Sequence, residues 1–176
     1  MRLAAALLLL TLSLAAQRQQ KTKPVDTGLA DLETLGALIA RTVEAKDWVT
    51  ILDQEPAEFR ADHQAALRDA KSDFYCFLVD ANCNPDWKGR TSIYHLLALA
   101  HSLGVTAIPS GPLPAQAATL FFYDRSEIPV SALRSTQFLC TEGGWKRMAF
   151  WSFRKTNGKW VAIGPAFEYA TDSFCN

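Results

Sequence analysis

Charge of neither sign predominates: Lys plus Arg and Asp plus Glu each number 18 in 176 residues. Domains that neutralise nucleic-acid phosphates are usually basic, so this balance argues against a nucleic-acid binder and against a polybasic membrane-surface patch. No apolar run reaches the roughly 18 residues of a spanning helix, so no membrane partner is expected. Catalytic signatures are missing as well. G-x-S-x-G, H-E-x-x-H, a phosphate-binding Gly loop and a dinucleotide fingerprint do not occur. Ser110-Gly111 lacks the flanking strand and helix of a nucleophile elbow. No C-x-x-C pair exists, which argues against a four-thiolate zinc site, so neither a metal nor a cofactor is implied. These absences weigh against an enzyme without excluding one.

What is present describes an ordinary globular chain, 49% hydrophobic and 20% charged, with room for one domain. Met1-Arg2 supplies a positive charge, and Leu3 to Leu14 is an uncharged run too short to span a bilayer and long enough for a signal-peptide core. Ser13-Leu14-Ala15 offers small residues for cleavage after Ala15, with Ala16 a near alternative. The expected organisation is a signal peptide over 1–15, a flexible lead-in over 16–28 and a single α+β domain over 29–176. The expected destination is the periplasm or the medium, and the Leu- and Ala-rich signal has a bacterial composition.

Export changes the reading of the cysteines. Cys76, Cys83, Cys140 and Cys175 form an even set, which in an oxidising compartment favours two disulfides. Cys76 and Cys83 flank a short stretch with Asn82, Asn84 and Pro85 nearby as turn formers. Asn157-Gly158 is a strong hairpin signal that pairs Lys155 with Trp160 and Met148 with Phe167. Extending that register opposes Lys146 to Tyr169 and returns the tail toward Cys140. The favoured pairing is therefore Cys76 with Cys83 and Cys140 with Cys175.

Periodicity places helices first and strands later. Leu32, Leu35, Leu38, Ile39 and Val43 recur at helical steps, and Asp47 caps a short piece over Trp48 to Leu52. Pro56 opens a helix expected to reach Lys71. Phe74 to Val79 reads as a strand, Asp80 to Gly89 as turns, and Ser92 or Thr91 as the cap of a helix ending at Gly104. Pro109 to Pro114 reads as a loop. Strands are expected over Ala117 to Tyr123, Arg134 to Thr141, Trp145 to Lys155 and Trp160 to Tyr169. The fold class is α+β, with N-terminal helices packed on a curved antiparallel sheet of about four to six strands. Twelve aromatic residues lie beyond Ala118, which marks the sheet as the candidate functional surface.

The stretch from Phe150 to Ile163 has an aromatic strand with Arg154, then Asn157-Gly158-Lys159-Trp160 and an apolar strand. It resembles the closing hairpin of the nuclear-transport-factor-2-like (SnoaL-like) cone fold. Glu44-Ala45-Lys46-Asp47-Trp48 resembles the break between that family's first helices. The resemblance implies a conical pocket used for a small ligand, for protein binding, or for acid-base catalysis by an Asp and His pair.

Two functional expectations follow. The first is a secreted, non-catalytic binding module, an inhibitor or immunity protein being one form. Its candidate surface is Trp151, Phe153 and Trp160 for a small apolar ligand or a protein partner, with Arg154 beside it for an anionic group; a homodimer is compatible. The second is a cofactor-independent isomerase, dehydratase or hydrolase using Asp80 or Asp124 with a histidine, His95 the candidate. His63 lies on an apolar stripe with no evident carboxylate partner. His101 is read as a dipole partner in the last turn of the His95 helix.

Overall fold

The computed structural model describes residues 28–83, 85, 92–99, 101–134 and 148–168. Helix α1 (Ala30–Glu44) carries Asp31 and Glu33 in its first turn and Arg41 in its last, complementing the helix dipole. It buries Leu32, Gly36, Ile39, Ala40 and Val43, whereas Leu38 remains half exposed. A Cβ on Gly36 would lie 2.6 Å from Val105 Cγ1, so α1 meets the sheet closely at this glycine. Asp47 caps α2 (Trp48–Leu52), accepting from Thr50 N–H at 3.1 Å. Helix α3 (Ala57–Ala66) follows Pro56 and stops short of the expected Lys71.

Helix α4 (Asp73–Leu78) replaces the strand expected at Phe74 to Val79. Ser72 Oγ accepts from Tyr75 N–H at 3.1 Å and Asp73 stands in the first turn, so capping overrides the β preference of Phe74, Tyr75 and Phe77. Helix α5 (Ile93–Leu97) starts at the expected cap, Ser92, but ends well before Gly104. Gly104 instead belongs to strand β1 (Leu103–Pro109), where the Tyr123 ring occupies the space a Cβ would take. Pro109 thus closes a strand at the sheet edge, where its missing N–H costs no ladder bond.

Strand β2 (Ala117–Asp124) is followed by a 3₁₀ helix (Val130–Arg134), then by β3 (Met148–Thr156) and β4 (Lys159–Ala162). The order is β1-β2-β3-β4, antiparallel throughout. This is an α+β fold, with helices packed against a four-stranded antiparallel sheet. Of the strand expected at Arg134 to Thr141, Arg134 ends the 3₁₀ helix and 135–141 lie outside the described residues.

The β3–β4 hairpin turns at Asn157 (φ 51°) and Gly158 (φ 77°), and Lys155 pairs with Trp160 as the sequence predicts. Met148 does not continue that register to Phe167. Ile163 N–H still reaches Ser152 O, but Phe150 opposes Glu168 where the register would have placed Pro165. The chain takes in extra residues around Gly164 and Pro165, a proline without a ladder donor, and Phe167 absorbs the turn at φ 57°.

One sheet face packs against the helices. Leu32, Ile39, Val43, Ile51, Leu52, Leu78 and Leu96 enclose Leu120, Phe122, Trp151 and Phe153. The other face is covered at one end, where Tyr123 and Met148 meet Ile128, Ala132 and Leu133. Cys76 and Cys83 form a disulfide with Cα atoms 5.5 Å apart. The expected pairing of Cys140 with Cys175, and the signal and lead-in over 1–27, lie outside the described residues. Among the described residues no helix is long and apolar enough to cross a membrane.

Candidate functional site

Two clefts bring candidate residues together. The first, about 350 Å³, lies between the turn joining α2 to α3 and strands β3 and β4. Asp53, Gln54, Glu55, Pro56 and Arg60 form one wall, and Phe153, Trp160, Val161 and Ala162 the other. Phe153 is fully buried and offers only the floor. Trp160 is half-buried, with its indole N–H on Gly28 O at 3.0 Å and Lys155 Nζ 5.6 Å from the ring centre.

The turn is built rigidly. Arg60 Nε donates to Leu52 O, and its Nη2 donates to Asp53 O at 2.7 Å and Glu55 O at 2.8 Å. Its Nη1 has no partner among the described residues, so that end of the guanidinium is available to a ligand.

Glu55 is only 2% exposed. Its carboxylate accepts from His63 Nδ1 at 2.8 Å and 3.1 Å and from Ala166 N–H, which ties the turn to the chain after β4. His63 stacks on Phe74 with ring centres 3.9 Å apart. The histidine read as lacking a carboxylate therefore has one. A carboxylate only accepts, so Nδ1 carries the proton in this contact.

The second cleft, about 380 Å³, is lined by Lys46, Tyr75, Val79, Asp80, Asn82, Tyr94 and His95. Asp80 leaves the end of α4 and His95 stands on α5, so two sequence-predicted residues share one cavity. Asp80 Oδ1 accepts from Asn82 N–H and Nδ2 at 3.0 and 3.1 Å. His95 Nδ1 lies 2.7 Å from the buried Ser92 Oγ, which also caps α5 and reaches Val79 O. Lys46 Nζ sits 4.7 Å over the Tyr94 ring.

Other candidates lie elsewhere. Trp151 is fully buried in the helix-facing core and donates its indole N–H to Gly164 O at 3.1 Å, so it presents no open face. Arg154 is exposed on β3, opposite Val161 of β4. Asp124 is buried and accepts from Ser126 N–H and Oγ at the end of β2, an inner strand of the sheet. His101 is exposed in the turn before β1, outside the α5 helix. Among the described residues no group of three His, Cys, Asp or Glu side chains is placed to hold a metal.

Glu55 and Arg60 are contributors that sequence reasoning missed. Their one local signal is a carboxylate and a guanidinium beside Pro56, at a helix start. No family model, curated protein or solved structure matches this chain.

Proposed function

We propose that this chain is an exported, non-catalytic binding module whose site is the cleft beside β4. The observation that carries this reading is the convergence on one cavity of Phe153, Trp160 and Arg60, whose Nη1 has no partner among the described residues. An aromatic and apolar wall facing a few polar groups that fix orientation suits a binding site for a ligand with an apolar moiety. The Cys76–Cys83 disulfide is compatible with an oxidising compartment and supports the export half of the proposal. A cone-fold relationship remains part of the proposal, resting on the hairpin from Phe150 to Ile163.

The test is native mass spectrometry of mature protein taken from a periplasm without refolding, followed by titration of indole as an apolar probe. Saturable binding that Trp160→Ala abolishes supports the reading; binding unaffected by that substitution overturns it. The second reading, a cofactor-independent isomerase, dehydratase or hydrolase, is favoured by Asp80 and His95 lining one cleft. Turnover of a retained compound that is lost in both Asp80→Asn and His95→Gln would establish it in place of the first.

A further inference from the structure

We propose that the open edge of β4 and its cleft accept an extended acidic segment of a partner protein, added to the sheet as a further strand. The proposal rests on the binding reading above and specifies the occupant. Ile163 N–H bonding to Ser152 O marks that pair as the hydrogen-bonded kind. The alternation of an antiparallel ladder makes Val161 with Arg154 and Lys159 with Thr156 the same kind. The main-chain N–H and C=O groups of Trp160 and Ala162 therefore point away from β3. Among the described residues nothing meets them.

The opposite edge of the sheet is treated differently. On β1, Leu103 N–H is taken by Leu99 O and Leu103 O by Arg125 Nη2, while Ala107 N–H is held by Glu33 Oε1 at 3.0 Å. Pro109 has no N–H to offer. An edge blocked by side chains and proline is protected against pairing, so β4 is the side at which this sheet can be extended. A strand added there would lie about 4.8 Å from β4. Its alternate side chains would face the cleft of Pro56, Phe153 and Trp160, which lies beside these main-chain groups.

Charge selects the occupant. The hairpin from Arg154 to Lys159 carries Arg154, Lys155 and Lys159 and no acidic residue. Arg60 adds a further cation from the opposite wall of the cleft, and among the described residues lining it Asp53 is the one exposed carboxylate, Glu55 being engaged with His63. Gly28 O accepts from the Trp160 indole N–H, but the lead-in sequence before it carries Arg18, Lys21 and Lys23 with the single acid Asp26 and so has the wrong sign. A second copy paired through β4 would bring two such basic hairpins together. An acidic extended segment meets the complementary field.

Hydrogen exchange by NMR on the mature protein tests this with two peptides that alternate valine with glutamate or with lysine. The glutamate peptide is expected to slow exchange at Trp160 and Ala162, to bind more weakly as salt rises, and to be favoured over the lysine peptide. Ala162→Pro, which removes an edge donor, should weaken it about tenfold. Lys159→Glu, a change at an exposed position, should narrow the preference for the glutamate peptide. Slowed exchange on raising protein concentration alone, or equal affinity for both peptides, overturns the proposal. Indole binding with no peptide protection overturns it while the binding reading stands, and failure of indole and both peptides removes the two together.

Discussion

Glu55 and His63, eight residues apart across the start of α3, are joined by a 2.8 Å hydrogen bond to a carboxylate shut off from solvent. Removing one partner of a buried hydrogen bond leaves the other group short of a partner. His63→Ala and Glu55→Ala should each lower unfolding free energy by about 2 kcal/mol in urea titrations. The double variant should lose clearly less than the two single losses added, because they break one contact.

Gly36 marks the approach of α1 to Val105 and Leu120. Gly36→Ala gains helix propensity but must push the helix off the sheet, and overpacking of this kind costs about 1–3 kcal/mol. A lowered Tm in calorimetry checks it; an unchanged or raised Tm would mean that Val105 and Leu120 move aside without cost.

The Cys76–Cys83 link closes a short loop, seven residues in sequence separation. Chain-entropy arguments assign such a loop about 2 kcal/mol. Cys76→Ser with Cys83→Ser should reduce stability by that order in chemical denaturation. A reducing agent should lower the Tm of the native protein in the same direction.

Two carboxylates give opposite pH dependences. Burial pushes the Glu168 carboxyl above its ordinary range, so the folded state holds its proton longer than the unfolded chain does. That contribution is full below the ordinary carboxylate range and is lost as pH rises through the raised value. Bonds from the Thr50 hydroxyl and N–H hold Asp47 below its ordinary range. Its contribution is present above that range and is lost as pH falls through the lowered value. Glu168→Gln should flatten the first limb and Asp47→Asn the second, read from denaturation midpoints across the acid range.

The elements legible in the sequence are those set by local rules. The apolar spacing from Leu32 to Val43 gives α1, Asp47 caps α2, and Asn157-Gly158 fixes the hairpin register. Failures arose where local signals competed. Phe74, Tyr75 and Phe77 favour a strand until Ser72 caps a helix, and Gly104 and Pro109 read as breakers although β1 lies at an edge that tolerates both. The cleft was half legible. Phe153 and Trp160 stand out as aromatics on strands, whereas Glu55 acquires its role from a contact with Ala166, 111 residues away in sequence. A spacing rule cannot register such a contact.

The unequal edges of the sheet limit how copies of the chain can associate. Filament growth by strand pairing needs two receptive edges, one to accept a neighbour and one to offer to the next. Here β1 is blocked by Glu33, Arg125 and Pro109, so pairing at β4 closes after a single addition. Whatever sits there ends the sheet, and the fold carries its own stop against edge-to-edge polymerisation.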